Sequence, residues 1–294
     1  MSHTDMTPSK QCREFARILN CTASVINGVC TATRSRTEIR PIVLGREADS
    51  FMFIPEAYSF ENVDKQGRAL CLGETVLLQE EANPFISRLR AHDIKVTAFH
   101  NHWLFDRPRL MYIHFESIDQ PLTFAKKVSD ALSVLRLRVN AVNSPQRPMM
   151  VNNNQRLEDL CDRFNEILDG DMHSLDNGNC MVMRSRTNIR PTILGRSTRS
   201  FLVIPQMFSF ESISGDGKAL CSGETVILQE EINPFISKLR QHDIKVTGLH
   251  NHWLFENPRL MYIHFLSIDK PLDFAARVRD ALQVLSNREV RPKS

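Results

Sequence analysis

Apolar positions in the first half of the chain switch between helical and strand spacing. Three stretches carry apolar residues three and four positions apart, which predicts amphipathic helices. They are Phe15 with Ile18 and Leu19, Phe85 with Ile86 and Leu89, and Phe124 with Val128, Leu132 and Leu135. Pro84 fits the first turn of the second helix, where its missing N–H costs nothing, and Asn83 is then the predicted N-cap. Pro121 is predicted to start the third helix.

Short apolar runs between turn signals predict the strands. These runs cover residues 29–33, 39–44, 50–54, 69–71, 74–78, 94–102 and 110–115. Pro41 removes a backbone donor from the second run, so we expect that strand at a sheet edge. The last two runs are predicted to pair antiparallel through the connection at residues 103–108.

The same order of helical and strand patterns then recurs at a constant offset of 150 residues. Arg184 corresponds to Arg34, Cys221 to Cys71 and His250 to His100. Between Ala69 and Asp119, 41 of 51 positions are identical to their partners in the second copy. The chain is therefore a tandem repeat, and a recent duplication would by itself explain the identity.

Two repeats of this kind predict an α+β protein. We expect each repeat to be a mainly antiparallel sheet with helices packed on one face, and the two repeats to be related by a pseudo-two-fold axis. The predicted division is a disordered tail at 1–11, repeat 1 at 12–137, a linker at 138–156, repeat 2 at 157–288 and a tail at 289–294. Strand edges in both copies favour a homo-oligomer.

Charge and composition limit the classes of binding partner and the cellular compartment that we expect for this protein. The formal net charge of +3 over 294 residues is too small to favour nucleic acid or a membrane surface as partner. The first ten residues lack the apolar segment of a secretory signal, and no apolar run approaches the roughly 20 residues that span a bilayer. We therefore expect a cytoplasmic protein. Seven cysteines without a Cys-x-x-Cys pair predict buried free thiols rather than disulfides or a zinc knuckle.

The clearest candidate chemistry is a set of three histidines in each repeat. His100 and His102 are two residues apart on a predicted strand, so they point to one face. If the connection has an odd number of residues, His114 lies opposite Ala98 and diagonal to His100 on that face. The residue at this position in repeat 2 is Gly248, which also leaves room for an imidazole or a ligand. An even connection would turn His114 away.

Three imidazoles with a carboxylate suit a divalent transition metal such as zinc, manganese or iron. The predicted carboxylate is Glu81, beside Glu80 at the strand-to-helix junction. The predicted metal ligands are His100, His102, His114 and Glu81 in repeat 1, with His250, His252, His264 and Glu231 in repeat 2. Two simpler explanations stay open: histidines on a half-buried sheet face bond to neighbours, and acids before a helix complement its dipole.

Other residues of the repeat are candidates for binding a small polar or anionic ligand. Arg36 and Arg186 carry donors for an anion, although a solvated strand end is the commoner explanation for such arginines. Trp103 and Trp253 follow the His-Asn-His segments and would either line a pocket or cap the core. Asn101 and Asn251 would orient the ligands.

The chain resembles the LppY/LpqO family, a bacterial domain family of unknown function, in three segments. These are Gly73-Glu-Thr-Val-Leu-Leu-Gln-Glu-Glu81-Ala-Asn83-Pro84, Ile94-Lys-Val-Thr-Ala-Phe-His100-Asn101-His102, and Pro108-Arg109-Leu-Met-Tyr-Ile-His114. The resemblance covers roughly residues 29–135 and 179–285. It implies that the motif residues Glu81, Asn83, His100, Asn101, His102 and His114, with their partners at 231, 233, 250, 251, 252 and 264, form a site. Several family members are predicted lipoproteins, whereas this chain shows neither a signal nor a lipidation cysteine.

Three functions fit these observations. The first is a binding protein with a metal or small-ligand site in each repeat. The second is a metal-dependent hydrolase-like enzyme that uses the same site, with Glu80 or Glu81 as general base. The third is a structural homo-oligomer without metal, in which the histidines are packing residues.

Overall fold

The computed structural model describes residues 7–135 and 151–292. Its first half contains three α-helices and nine strands. The helices are α1 (Lys10–Leu19), α2 (Ala82–Ala91) and α3 (Pro121–Leu132). The strands are β1 (Thr22–Ile26), β2 (Val29–Ser35), β3 (Ile42–Val43), β4 (Arg46–Glu47), β5 (Pro55–Glu61), β6 (Ala69–Leu78), β7 (Lys95–His100), β8 (Asp106–Arg107) and β9 (Leu110–Asp119).

The second half repeats this order. Its helices are α4 (Val151–Leu168), α5 (Ile232–Gln241) and α6 (Pro271–Leu282). Its strands are β10 (Met172–Asp176), β11 (Asn179–Ser185), β12 (Thr192–Ile193), β13 (Arg196–Ser197), β14 (Pro205–Glu211), β15 (Ala219–Leu228), β16 (Lys245–His250), β17 (Glu256–Asn257) and β18 (Leu260–Asp269).

Each repeat forms an antiparallel sheet of six strands. The strand order is β1-β2-β5-β6-β9-β7 in repeat 1 and β10-β11-β14-β15-β18-β16 in repeat 2. Three shorter strands in each repeat form a separate small sheet, β4-β3-β8 or β13-β12-β17. The predicted α+β fold of two similar halves is confirmed.

The alternation of side chains along the central strands decides which layer each residue joins. In β6, Cys71 and Leu77 pack with Phe115 and the helices in the core of repeat 1. Leu70 and Leu72, which point the other way, pack with residues of repeat 2 such as Val226. The layers therefore run helices, sheet, sheet, helices, and the two sheets meet face to face.

Contacts between the repeats come in equivalent pairs. The Oγ1 of Thr97 donates to the carbonyl of His252, and that of Thr247 donates to the carbonyl of His102. Arg46 likewise donates to the carbonyl of Ser212, and Arg196 to that of Asn62. Such paired contacts are those of an approximate two-fold relation between the halves.

Several local predictions differ from the structure. The predicted strand at 50–54 is a buried turn in which the amides of Phe53 and Ile54 donate to the carbonyl of Ser50. Only Ile42 and Val43 of the predicted 39–44 strand are paired, and they lie between β4 and β8, so the expected edge position is wrong; Pro41 lies just outside the paired residues. Helix α2 begins at Ala82 rather than after Asn83, because a 3-10 turn at Gln79–Glu81 leads directly into it. Strand β1 was not predicted.

The predicted tails and linker are partly ordered. Residues 10–11 of the predicted tail lie in α1, and residues 151–156 of the predicted linker lie in α4. Val290 of the C-terminal tail exchanges backbone hydrogen bonds with residues 188 and 190. Residues 1–6, 136–150 and 293–294, which complete the predicted tails and linker, lie outside the described residues.

The expectation of free thiols is wrong for four cysteines. Cys12 is disulfide-bonded to Cys30, and Cys161 to Cys180, at equivalent places in the two repeats. Each bridge joins the first helix of a repeat to its second strand. The pairing depends on how that helix packs on the sheet, which Cys spacing alone does not reveal. Cys71 and Cys221 are buried thiols, as predicted.

Candidate metal centre between the repeats

The register of β9 is the one expected for a connection with an odd number of residues, with His114 on the same face as His100. His114 lies opposite Ala98 on β7 and opposite Glu74 on β6. His264 lies in the same way between Gly248 and Glu224. A carboxylate, an imidazole and a small residue therefore form one transverse row in each sheet, on the face that meets the other repeat.

The other two histidines of each repeat complete the arrangement. His100 ends β7 opposite Tyr112, and its ring centroid lies 5.0 Å from that of His114. His102 follows in the connection, where its ring stacks on Tyr112 at 3.6 Å. The Tyr112 hydroxyl donates to the carbonyl of Phe53 at 2.7 Å, which holds the Tyr112 ring in place against His102.

The two triads form one cluster rather than two separate sites. The ring centroids are 3.5 Å apart for His100 and His250, 3.8 Å for His102 and His264, and 3.7 Å for His114 and His252. Each of these pairs joins one repeat to the other. The prediction of an independent site in each repeat is thus replaced by a cluster that both repeats build.

Three overlapping groups in this cluster have the spacing of metal ligands. Within each group the donor atoms lie within 4.8 Å of one another. The groups are His100, His102, His250 and His252; Glu74, His102 and His114; and His102, Glu224 and His264. His102 belongs to all three groups, which therefore share one ligand.

Burial keeps these imidazoles neutral. It lowers the pKa of His100 to about 4 and, together with the repulsion that a second positive charge on neighbouring His100 would add, the pKa of His250 to about 2. The pKa values of the other four histidines lie well below the usual value for the same reason. Neutral imidazole is the form that binds a metal ion.

The ring nitrogens also lack hydrogen-bond partners among the described residues. This holds for both ring nitrogens of five histidines and for Nε2 of His102. The nearest carboxylate oxygens are 3.8 Å from Nδ1 of His114 and 3.7 Å from Nδ1 of His264, beyond hydrogen-bond length. Buried polar atoms ordinarily have a hydrogen-bond partner, so a group of buried ring nitrogens without partners fits a role as metal ligands.

Glu74 and Glu224 are the carboxylates of the site. Burial raises the pKa of Glu74 to about 8, and burial with the nearby Glu74 raises that of Glu224 well above its usual value. A divalent cation would favour their ionised form. Sequence reasoning overlooked both. The available signal was a glutamate between Leu72 and Val76, on the strand that pairs with His114.

The structure does not bring Glu81 or Glu231 to the histidines. Arg36 donates to both carboxylate oxygens of Glu81, at 2.7 and 3.1 Å, and Arg186 does the same to Glu231, at 2.6 and 3.0 Å. The 3-10 turn after β6 directs Glu81 back toward its own strand, where it also accepts from the Leu78 amide. The arginines predicted as anion ligands are thus committed to these buried ion pairs.

The tryptophans and asparagines support the loop instead of facing a ligand. Trp103 and Trp253 are fully buried in the cores between the sheets. Trp103 presents its edge to His264 at a centroid distance of 5.5 Å, which restrains that imidazole. Asn101 and Asn251 donate to the carbonyls of Trp103 and Trp253, at 3.0 and 3.1 Å. They therefore hold the His-Asn-His connection in shape.

A cavity of about 920 Å³ lies between the sheets and reaches the centre. Its lining includes Glu74, Glu224 and His102, while most of the remaining lining comes from β1, β2 and β5 and from their counterparts β10, β11 and β14. This volume falls within the range of small-molecule sites. The centre is therefore open on the carboxylate side.

Comparison with known proteins places the chain in a family without indicating an activity. The model of a family described as Domain of Unknown Function (DUF1259) matches residues 13–134 and 162–284. No curated protein matches the chain. Across residues 7–135 and 151–292, no helix has the length and apolar character to cross a membrane.

Two solved structures show a weak likeness. One is the crystal structure of a trimeric bacterial microcompartment shell protein, PduB, at 14% identity and a TM-score of 0.21, covering 93% of this chain and 96% of that chain. The other is EtuB from Clostridium kluyveri, at 8% identity and a TM-score of 0.20, covering 92% and 98%. Similarity at these scores establishes neither a shared fold nor a shared assembly.

Proposed function

We propose that this chain, which belongs to the Domain of Unknown Function (DUF1259) family and carries two tandem copies of its domain, binds a divalent transition-metal ion between its repeats. The observation that carries the proposal is the convergence of six neutral histidines, four buried and two half-buried, with eleven of their twelve ring nitrogens buried and without partners among the described residues. No packing advantage explains six such rings, since each buried unpartnered polar atom costs free energy. The resemblance to the LppY/LpqO family stays a prediction.

The four-histidine group is the proposed position of the ion. His100 and His102 come from one repeat and His250 and His252 from the other, so the ion would join the two sheets. Four imidazoles suit zinc best, and iron is also compatible. Manganese prefers oxygen ligands and would lie closer to Glu74 and Glu224. We expect one ion per chain.

Elemental analysis of matched variants tests this proposal. The His100→Ala/His250→Ala double variant and the His102→Ala variant should lose the metal that the native protein holds. The His92→Ala/His242→Ala variant removes an equivalent pair of histidines, bound to Asp130 and Asp280 outside the cluster, and should keep it. Native protein that takes up no zinc, manganese or iron after incubation would refute the metal centre. The third alternative, histidines as packing residues, would then be favoured.

The cavity favours a second candidate, a metal-dependent hydrolase-like enzyme. A bound ion would supply Lewis-acid activation of water or a carbonyl group. Glu74 or Glu224, rather than Glu80 or Glu81, would then act as general base, because these two carboxylates line the cavity beside His102. Metal-dependent turnover of ester or phosphoester substrates, lost in Glu74→Gln, would support this reading. A small polar or anionic ligand of the cavity and a homo-oligomer remain predictions.

We also propose an oxidising compartment in place of the predicted cytoplasm. Disulfides persist in exported proteins and are rare in the cytosol of most organisms. Both repeats carry the same helix-to-strand bridge, Cys12–Cys30 and Cys161–Cys180. Alkylation of protein from its native source should leave these four cysteines unlabelled until a reductant is added. Full labelling without reductant would contradict the proposal.

A further inference from the structure

Four methionines cover the repeat 2 wall of the cavity between the sheets. They are Met172 on β10, Met181 and Met183 on β11, and Met207 on β14. The equivalent positions of the opposite wall hold Thr22, Thr31, Thr33 and Ala57. The two walls share one fold and one set of backbone positions, so the methionines are a property of repeat 2 alone.

Strand register aligns three of these methionines in a single row. Met172 pairs with Met183, and Met183 pairs with Met207. The row continues from Met207 to Glu224 and from Glu224 to His264. It therefore runs from the partly exposed Met172 at the sheet edge to the histidine cluster.

Packing alone does not account for methionine at these positions. Met181 and Met207 also belong to the core between the sheets and Met183 packs against it, but all four line a cavity of about 920 Å³, so packing constrains only part of each side chain. Methionine also specifies a packed structure poorly compared with leucine or isoleucine. None of the four equivalent positions on the opposite wall of the cavity holds a methionine.

The row does, however, have the geometry of a soft-metal site. Neighbouring residues in a row have Cβ atoms about 4.5–5.5 Å apart. Methionine has three rotatable bonds and a polarisable sulfur, so Met172 and Met207 can bring their thioethers to the sulfur of Met183. Thioethers select Cu(I) over hard cations. Thiols are not available for this role, because the cysteine of β11, Cys180, lies on the other face of the strand in the core of repeat 2 and is bridged.

We propose that Met172, Met183 and Met207 bind one Cu(I) ion through their sulfur atoms, at a site distinct from the histidine cluster, with Met181 beside them. Each ligand is a neutral thioether, so binding needs no proton release. This site and the histidine centre lie on the same transverse row, with Glu224 between them. The proposal does not depend on a divalent ion at the histidines.

Anaerobic competition between the protein and a colorimetric Cu(I) chelator tests the site. The Met172→Leu/Met183→Leu/Met207→Leu variant should lose one equivalent of Cu(I) or bind it at least tenfold more weakly. Met52→Leu is the matched control, because Met52 lines the opposite wall and its counterpart in repeat 2 is already Leu202. It should bind as the native protein does. Copper X-ray absorption should show sulfur ligands in the native protein and in His102→Ala.

Two results would overturn the proposal. One is equal Cu(I) affinity in the triple variant and the native protein. The other is native copper coordinated only by nitrogen and oxygen, which would assign copper to the histidines. If the triple variant does not fold, the single Met183→Leu variant, at the middle of the row, should still weaken Cu(I) binding at least tenfold.

Discussion

The buried ion pair of Arg36 and Glu81 shows how a residue of a motif can serve the fold rather than the site. Both side chains are fully buried, and the arginine also donates to the carbonyl of Val76 at 2.9 Å. Loss of one partner of a buried ion pair costs about 3–5 kcal/mol, and Glu38, which also accepts from Arg36, places Glu81→Ala near the lower end of that range, at about 3 kcal/mol. Glu81→Ala should therefore lower the free energy of unfolding by about that amount while the metal content stays native. Denaturant titration with elemental analysis checks both; lost metal in folded protein would restore Glu81 as a ligand.

Glu211 gives the molecule a pH-dependent stability at the seam between the repeats. Burial, reinforced by the Asp49 carboxylate, raises its pKa to about 8. The folded state therefore holds this proton more tightly than the unfolded chain does, so the associated stability is present below about pH 4.5 and is lost as the pH rises through 8. Glu211→Gln should be more stable than native protein by roughly 2–4 kcal/mol at pH 9, with little difference at pH 4.

Urea titrations at several pH values measure this difference. Glu61→Gln is the control, because Glu61 accepts bonds from the Thr198 hydroxyl and the Arg199 amide and would lose part of that bonding. It should gain less stability than Glu211→Gln at high pH. A Glu211→Gln gain that does not change with pH would show that the Glu211 carboxyl titrates normally.

At this scale the sequence predicts residue types better than residue partners. The three histidines of each repeat were found from their spacing, and Ala98 and Gly248 correctly indicated space opposite the third. Glu81 and Arg36 are 45 residues apart. Their pairing depends on a 3-10 turn that the spacing of apolar residues does not predict. Glu74 looks like an isolated polar residue in an apolar strand until the register of β9 is known.

Among the elements, strand β6 needs a glycine at the position where an aromatic ring of the neighbouring strand lies against its backbone. Gly73 lies opposite Phe115 of β9, and a Cβ atom there would lie 2.2 Å from Cε2 of that ring. The ring itself packs edge-on against Phe85 of α2. Gly73→Ala should therefore destabilise the protein by about 1–3 kcal/mol through overpacking.

A double-mutant cycle identifies the cause. Phe115→Leu removes the ring that the new methyl group meets, so Gly73→Ala should cost less in that background than in native protein. The free energy of unfolding of the four proteins, from guanidinium titrations, gives the coupling. If the two costs simply add, the effect of the alanine lies in the backbone of β6 and not in its contact with Phe115.

Elements with a strong local signal were predictable, and elements set by tertiary contacts were not. Pro121 located the start of α3 to the residue, and the apolar stripe that follows identified the helix, although it ends at Leu132 and not at Leu135. The run at 50–54 has strand composition, yet it forms a turn because its side chains fill the core beside Trp103 without a neighbouring strand to pair with. Strand β1 is largely half-exposed and offers no clear alternation to recognise.

For the whole molecule, the decisive feature is that each repeat has its own core between helices and sheet, whereas the cores between the two sheets and the histidine cluster need residues of both repeats. One core between the sheets joins Val76 and Tyr112 of repeat 1 to Phe201 and Leu266 of repeat 2. The sequence predicted two homologous repeats but not that their sheets meet face to face. This packing brings the residues of each triad to within 4 Å, between ring centroids, of residues of the other triad. Repeats that share core and centre should unfold together.

Calorimetry tests this interdependence. The native chain should show one unfolding transition, since loss of either repeat exposes the apolar face of the other. Zinc at 100 times its dissociation constant should add about 2.7 kcal/mol of stability and raise the melting temperature by about 5–10 °C. The His92→Ala/His242→Ala control should shift by the same amount and His102→Ala should not shift. Two separate transitions, with only one moved by zinc, would instead describe independent domains and place the ion within a single repeat.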